Sequence, residues 1–381
     1  MIILSDWDRI GDSYRMVLKM GTNDSIDDLP SANRPMNPEF FAVSKEYGIP
    51  ADGSVVIESG EPTLVYKDGK WENAVESGGG NEKSSFAKLV DKTITEVTEE
   101  DLQGATKISE GTFQDCSGLT SIMIPDGVTS IGKNAFSYCS RLPFITIPNG
   151  VKSVGNNAFY KCSSLTSVAL PNSLTSIGEM AFLECGKLSS ITIPKGLWSI
   201  GKNAFNGCRN LTSITIPNSV TRIDDGVFSN CSSLTFITIP NYVMSIGEYA
   251  FQGCSSLIPF TIPNSVTSIG AYAFAGCNGW ASVTFSNSIT SIGDNAFAAC
   301  RGLTSITISD SSTNIGNSVF YNCTNLSLIK MLPATPPTIG SNVFSNTAAD
   351  LQIVVPKGAL DAYKTAANWS AYADKMVEAA E

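Results

Sequence analysis

Ala204-Phe205-Asn206-Gly207-Cys208-Arg209-Asn210-Leu211-Thr212-Ser213-Ile214-Thr215-Ile216-Pro217-Asn218-Ser219-Val220-Thr221 is one copy of a unit that recurs from about Phe113 to Phe344. The period is 23 residues, and the ten cysteines from Cys116 to Cys323 keep it at every step. The phenylalanines three places before them keep it too, and Phe344 arrives one residue late. A fixed period of this size predicts a solenoid, because one coil is too small to bury its apolar face alone and stacking buries a continuous core.

The internal pattern Leu119-x-x-Ile122-x-Ile124-Pro125-x-x-Val128-x-x-Ile131-Gly132 gives the course of each coil. Alternation at Ile122 and Ile124 predicts a short strand with one face in and one face out. Proline then ends it by removing a ladder donor, and Asn149, Asn172, Asn218, Asn241, Asn264 and Asn287 follow in turn positions. Asn134 to Cys139 reads as a helical or 3-10 turn that buries Phe136 and Cys139 behind the strands. The recurrent Ile-Gly reads as a coil turn.

Hydrophobic residues make up 43% of the chain and charged ones only 16%, which fits a well-buried stack with a neutral polar surface. The net charge of −10 is uneven. Residues 1–85 carry 15 acidic and 8 basic groups. Residues 116–222 carry nine basic groups against Asp126, Glu179 and Glu184, and from 223 to 340 the balance reverses. The basic half suits an anionic partner, although scattered solvated charges explain it as well.

Histidine is absent, which removes triads built on His and the commonest metal ligand. The acidic pair Asp224-Asp225 stands where most units have Gly and a polar residue, and it reads as a solvated turn. No Gly-rich loop precedes a helix. No catalytic residue, metal site or cofactor is therefore expected. Neither a signal peptide nor a run of 18 apolar residues is visible, so neither membrane insertion nor the standard secretory route is expected unless a leader is missing. The cysteines form no Cys-x-x-Cys pair that would suggest zinc. Stacked at equivalent positions about 4.8 Å apart, their side chains point in parallel, which is poor disulfide geometry. They are expected as a buried column of free thiols.

Four regions are expected. Residues 1–75 form a β-rich head, with strands at Gly53–Glu58 and Pro62–Tyr66, a tight turn at Asp68-Gly69, and a short strand at Phe40–Val43. Residues 76–85, rich in Gly and Ser, form a linker. Residues 86–350 form the solenoid, entered through a strand at Thr93–Val97 and a capped turn at Thr98–Leu102. Residues 351–381 form a cap with helices beginning at Ala359 and near Trp369, needed because a last rung would otherwise bare its apolar surface.

The unit Ala-Phe-x-x-Cys-x-x-Leu-Thr-Ser-Ile-x-Ile-Pro-Asn-Ser-Val-Thr-Ser-Ile-Gly resembles the repeat of BspA-like leucine-rich-repeat proteins. It departs from the general leucine-rich consensus, since its Cys column precedes the strand. The fold implied is a stack of short parallel strands with short helical or 3-10 turns. The resemblance implies binding to host proteins or surfaces. Residues 49–71 of the head are similar, through fewer residues, to short β modules of bacteriophage structural proteins.

Two outward strand columns are expected to form a flat, hydroxyl-rich sheet interrupted by Phe144 and Phe236, four rungs apart. Exposed aromatics on such a surface are candidate anchors for a protein or sugar, unless each packs on a neighbouring rung. Trp198 stands in a column otherwise rich in Thr, and Tyr242 and Met244 are further bulky departures. The leading expectation is a non-enzymatic adhesion module that meets a cell-surface protein or glycan. Its head would attach it to a larger assembly such as a phage virion, or join copies into an oligomer. The alternatives are a structural spacer, a bacterial cell-surface or secreted adhesin, and, least of all, an enzyme. Nucleic acid is not an expected partner.

Overall fold

In each rung the apolar residues spaced for burial fall on short extended segments, and the turns between them are set by proline, glycine and left-handed residues. The computed structural model describes strand backbone at Ile3–Ile10, Ser13–Lys19, Ser54–Glu58, Glu61–Lys67 and Lys70–Glu72, and then residues 92–380 apart from Thr313. The chain forms two compact units, Met1–Ile94 and Thr95–Glu381.

In the first unit, β1 (Ile3–Ile10), β2 (Ser13–Lys19), β3 (Ser54–Glu58), β4 (Glu61–Lys67) and β5 (Lys70–Glu72) form one antiparallel sheet in chain order. The strands expected at 53–58 and 62–66 are β3 and β4. Lys67 pairs with Lys70, and the turn expected at Asp68-Gly69 lies outside the described residues. The strands β1 and β2 were not anticipated, because polar residues interrupt both runs. The strand expected at Phe40–Val43 and the linker at 76–85 lie outside the described residues.

The second unit is a stack of parallel rungs. The first strand of one rung pairs with that of the next at a 23-residue step, as in Ser167 with Phe144 and Val168 with Ile145. A second, two-residue strand follows the proline and repeats likewise, Ser153 with Ser130 and Val154 with Ile131. The frame already holds at Ile108, which bridges Ile131. Where Phe344 comes late, the step widens to 24, and Leu328 pairs with Gln352. Entry is capped as expected: Thr98 N–H donates to Asp101 at 2.7 Å, and Asp101 N–H to the Thr98 hydroxyl at 3.4 Å, ahead of a single 3-10 turn at Glu100–Leu102.

The segment from Asn134 to Cys139 differs from expectation. It is neither helix nor 3-10 helix but two successive turns, closed by Ser137 N–H to Asn134 O at 3.0 Å and Cys139 N–H to Phe136 O at 3.1 Å. Asn134 (φ 55°) and Tyr138 (φ 62°) take the left-handed conformation, and their counterparts recur in later rungs. Left-handed residues at these two places, four apart, break a right-handed helix. They turn every second N–H towards the next rung instead. Asn134, Phe136 and Tyr138 donate to the carbonyls of Asn156, Ala158 and Tyr160 at 2.9, 2.7 and 2.7 Å. A third hydrogen-bonded column thus runs the length of the stack.

Behind the columns, Phe113, Phe136, Phe159, Phe182 and their successors stack nearly parallel, with the first centroids 5.1–5.2 Å apart. The ten cysteines are buried and free. Each thiol from Cys139 onwards donates to the phenylalanine carbonyl of the preceding rung, as Cys139 does to Phe113 at 3.1 Å. The glycine after each second strand has a reason the reading of a coil turn missed. A Cβ on Gly178, Gly201 or Gly270 would lie 2.5–2.6 Å from backbone nitrogen of the rung before.

The cap is helix α1 (Leu360–Thr365), a 3-10 segment at Trp369–Lys375 rather than a second α-helix, and an unanticipated strand, Met376–Glu378, that extends the first-strand ladder. Trp369 donates its indole N–H to Pro337 O at 2.8 Å, Tyr363 its hydroxyl to Pro333 O at 2.8 Å, and Asn368 its amide to Ile339 O at 2.7 Å. Trp369 also closes the aromatic stack, 5.9 Å from Phe344. Trp369→Ala is expected to remove about 3–5 kcal/mol of local stability and to raise amide exchange first in the strands Leu328–Met331 and Gln352–Val355. Unchanged exchange there would show that the cap bears no such role.

Candidate recognition surface

The first strands place alternate side chains outward, in the pattern exposed, buried, exposed, so one face of the stack is built from Ser and Thr columns. Two kinds of hydroxyl must be separated. Those one residue before the strand are structural: Thr166 donates to Pro143 O at 2.9 Å and Thr235 to Thr212 O at 3.0 Å, each tying its rung to the last. The outward hydroxyls of Ser167, Ser190, Ser213, Thr192, Thr215 and Thr238 make no hydrogen bond among the described residues and face solvent. Phe144 and Phe236 stand in this field at 56% and 51% exposure. Neither packs away on a neighbouring rung.

Trp198, Tyr242 and Met244 are 61%, 61% and 58% exposed, but on the other side of the second turn, before the second strand. In the column of Trp198 and Met244, Thr175 and Thr267 donate hydroxyls to the rung before, at 2.9 and 3.2 Å, and in the column of Tyr242, Ser173 and Ser265 do so at 2.7 and 2.6 Å. The bulky residues break a hydroxyl ladder that their neighbours keep. The five candidate residues therefore divide between two faces, and the structure does not gather them into one site.

A seam in the stack separates Phe144 and Trp198 from Phe236, Tyr242 and Met244. Asp224 occupies the glycine column, where a Cβ meets the preceding backbone, and both strand ladders stop together there. The second-strand sheet ends at Ser199–Ile200 and resumes at Arg222–Ile223, and the first-strand sheet ends at Ser190–Ile191 and resumes at Ser213–Thr215. The ring spacing widens to 5.7 Å between Phe205 and Phe228. Ion pairs gather at the gap: Arg222 with Asp224 at 2.7 Å, Lys202 with Asp225 at 2.8 Å and Arg209 with Glu184 at 3.6 Å. Burial would raise the Asp225 carboxyl, but hydrogen bonds from Lys202 and the Glu248 N–H outweigh it and hold the group below its usual range. The acidic pair is thus part of a packing fault rather than a solvated turn. A separate interruption occurs at Pro259, which lacks the N–H the first-strand ladder needs.

Sequence reasoning also missed an exposed cluster on the turn side, where Lys161 Nζ lies 5.3 and 5.1 Å from the ring centres of Tyr138 and Tyr160. Among the described residues no group of three acidic or cysteine side chains could hold a metal ion, and no helix is long and apolar enough to cross a membrane.

Parallel rungs of one short period, with Leu, Ile and Phe columns inside, define a solenoid of the leucine-rich-repeat class. The family model for the BspA type leucine rich repeat region matches residues 106–235 and 244–366, in six copies, and the chain belongs to that family. A leucine-rich repeat protein of Bacteroides ovatus is similar in structure, with 25% identity over 84% of this chain and 91% of that one and a TM-score of 0.56. A leucine rich cell surface protein of Faecalibacterium prausnitzii matches at 25% identity over 74% and 93%, TM-score 0.42. A leucine rich repeat protein of T. pallidum matches at 27% identity over 49% and 78%, TM-score 0.40. No curated protein matches the chain.

Proposed function

We propose that this chain is a non-enzymatic adhesion protein of a bacterial cell surface, whose first-strand face recognises a protein or glycan and whose residues 1–75 attach it. The observation that carries this is the pair of exposed rings, Phe144 and Phe236, standing on a neutral face of unpaired hydroxyls. Rings held out on rigid strands lose little freedom on binding, and hydroxyls exchange water for a ligand's polar groups at low cost. Family membership supports the reading, since BspA-type repeat proteins are typically binding proteins rather than enzymes. The virion reading has no such support, because the family match covers only the solenoid and its cap and nothing in the head.

The test is binding of the purified chain to host-cell and extracellular-matrix surfaces, with and without Phe144→Ala and Phe236→Ala. Each substitution is expected to weaken binding about tenfold or more, with the melting temperature unchanged. Binding that survives both changes would move the site off this face. Recovery of the native protein in virions rather than the cell envelope would overturn the location.

A further inference from the structure

The second-strand face carries a pattern that the recognition surface does not use, and it is self-complementary. Its exposed columns lie 10, 11, 13, 14 and 17 residues after each cysteine. Up to the Cys208 rung, Lys133, Lys152, Lys195, Lys202 and Arg222 outnumber Asp126 and Glu179 on this face. From Asp225 in the Cys208 rung itself onwards stand only acids, Asp225, Glu248, Asp294 and Asp310, with Asp224 one place off these columns. The change of sign coincides with the exposed apolar group: Trp198 one rung before the Cys208 rung, Tyr242 and Met244 one rung after it.

We infer that this face is an interface for a second copy of the chain, packed antiparallel about a two-fold axis that runs along the strands at the Cys208 rung. Such an axis lays each column on itself and reverses the order of the rungs, as an isologous contact requires. Trp198 then meets Met244 of the other copy, in the same column and two rungs, about 10 Å, apart within one chain. Tyr242 flanks that contact. Lys202 meets Glu248, again within one column. Both contacts occur twice.

On the axis each Arg222 meets its own copy, which would repel were its charge not already taken by Asp224 at 2.7 Å. The same holds for Asp225, paired with Lys202 at 2.8 Å. Away from the axis the basic half of one copy lies over the acidic half of the other, with Lys152 and Lys195 opposite the half that holds Asp294. Asp126 opposite Asp310 is the one like-charged contact, four rungs out and beside Lys133. Trp, Tyr, Met and Arg at the centre with charges around them is the composition of a protein interface, and opposed fields favour the antiparallel order over the parallel one.

Sedimentation equilibrium of the full chain at low and high salt tests this. A dimer is expected, weakened by salt. Trp198→Ala with Met244→Ala should raise its dissociation constant at least about tenfold without lowering the melting temperature. Glu248→Lys should weaken it too, since it sets a lysine against Lys202 of the other copy. A chain that stays monomeric at low salt overturns the inference. So does a dimer that none of these substitutions changes, which would place association on another surface.

Discussion

At about pH 10.5 the solenoid is expected to melt far below its melting temperature at about pH 7.5. The cause is the thiol column. Burial pushes the thiols from Cys139 to Cys323 up, to about 12 at Cys254 and Cys323 and higher elsewhere. An exposed thiol in the unfolded chain ionises near 8.5. The folded value lies above the unfolded one, so the native state keeps protons that the unfolded state gives up. The stability is whole below about pH 8.5 and is lost as pH rises from there towards the folded values. Each thiol loses about 1.4 kcal/mol per pH unit in that window, and nine unfolding together lose on the order of 12 kcal/mol per unit. Thermal melts followed by circular dichroism across this range measure it, and proton release in a pH-stat counts the thiols. A melting temperature that holds steady through the window would show that the column does not govern alkaline stability.

The second large effect belongs to the glycine column. Gly270→Ala is expected to destabilise its rung by about 3 kcal/mol or more. Replacing glycine by alanine usually stabilises slightly, by limiting the unfolded chain. Here the added carbon would lie 2.6 Å from Glu248 N and Gly247 C, and backbone cannot step aside as a side chain can. The chain already shows the outcome at Asp224, where both ladders stop. Hydrogen exchange at Ser245–Ile246 and Ser268–Ile269 should rise in the variant while the Phe113 end stays protected. The reverse change, Asp224→Gly, serves as the control, since it should let the ladders join. An unchanged exchange pattern in Gly270→Ala would refute the steric account.

Much of this was legible because a repeat states each rule many times. The 23-residue step gave the in-register pairing, the alternation at Ile122 and Ile124 gave the buried face, and the cysteines were recognised as buried thiols. Three things were not legible, each for a physical reason. A segment such as Asn134–Cys139 has helical composition, and only its φ angles reveal the turns that aim its N–H groups at the next rung. The glycine column looks like a turn signal because sequence does not show how near the preceding backbone runs, so Asp224 reads there as solvated. The candidate anchors could be named from breaks in their columns, but their division between two faces depends on the path of the chain around the second turn.

The seam at Asp224 also decides how the molecule carries load. Elsewhere in the middle of the stack, neighbouring rungs are fastened by ladders side by side, so an axial pull must break them at once. Across the seam both strand ladders are missing, and the fastening falls to the turn column, with Asn203, Phe205 and Gly207 donating to Asp225, Val227 and Ser229 at 2.8–2.9 Å, to separate bonds such as Asn210 to Gly186 at 3.2 Å, Thr212 to Ser189 at 3.3 Å and the Ser219 hydroxyl to Lys195 O at 3.1 Å, and to the ion pairs. Ion pairs weaken in salt, and hydrogen bonds loaded singly yield sooner than those loaded together. In the adhesion role proposed above, a chain held at one end and bound along its length would be tugged whenever its surroundings flow. The seam would then act as a fuse near the middle of the stack, yielding before either block unravels.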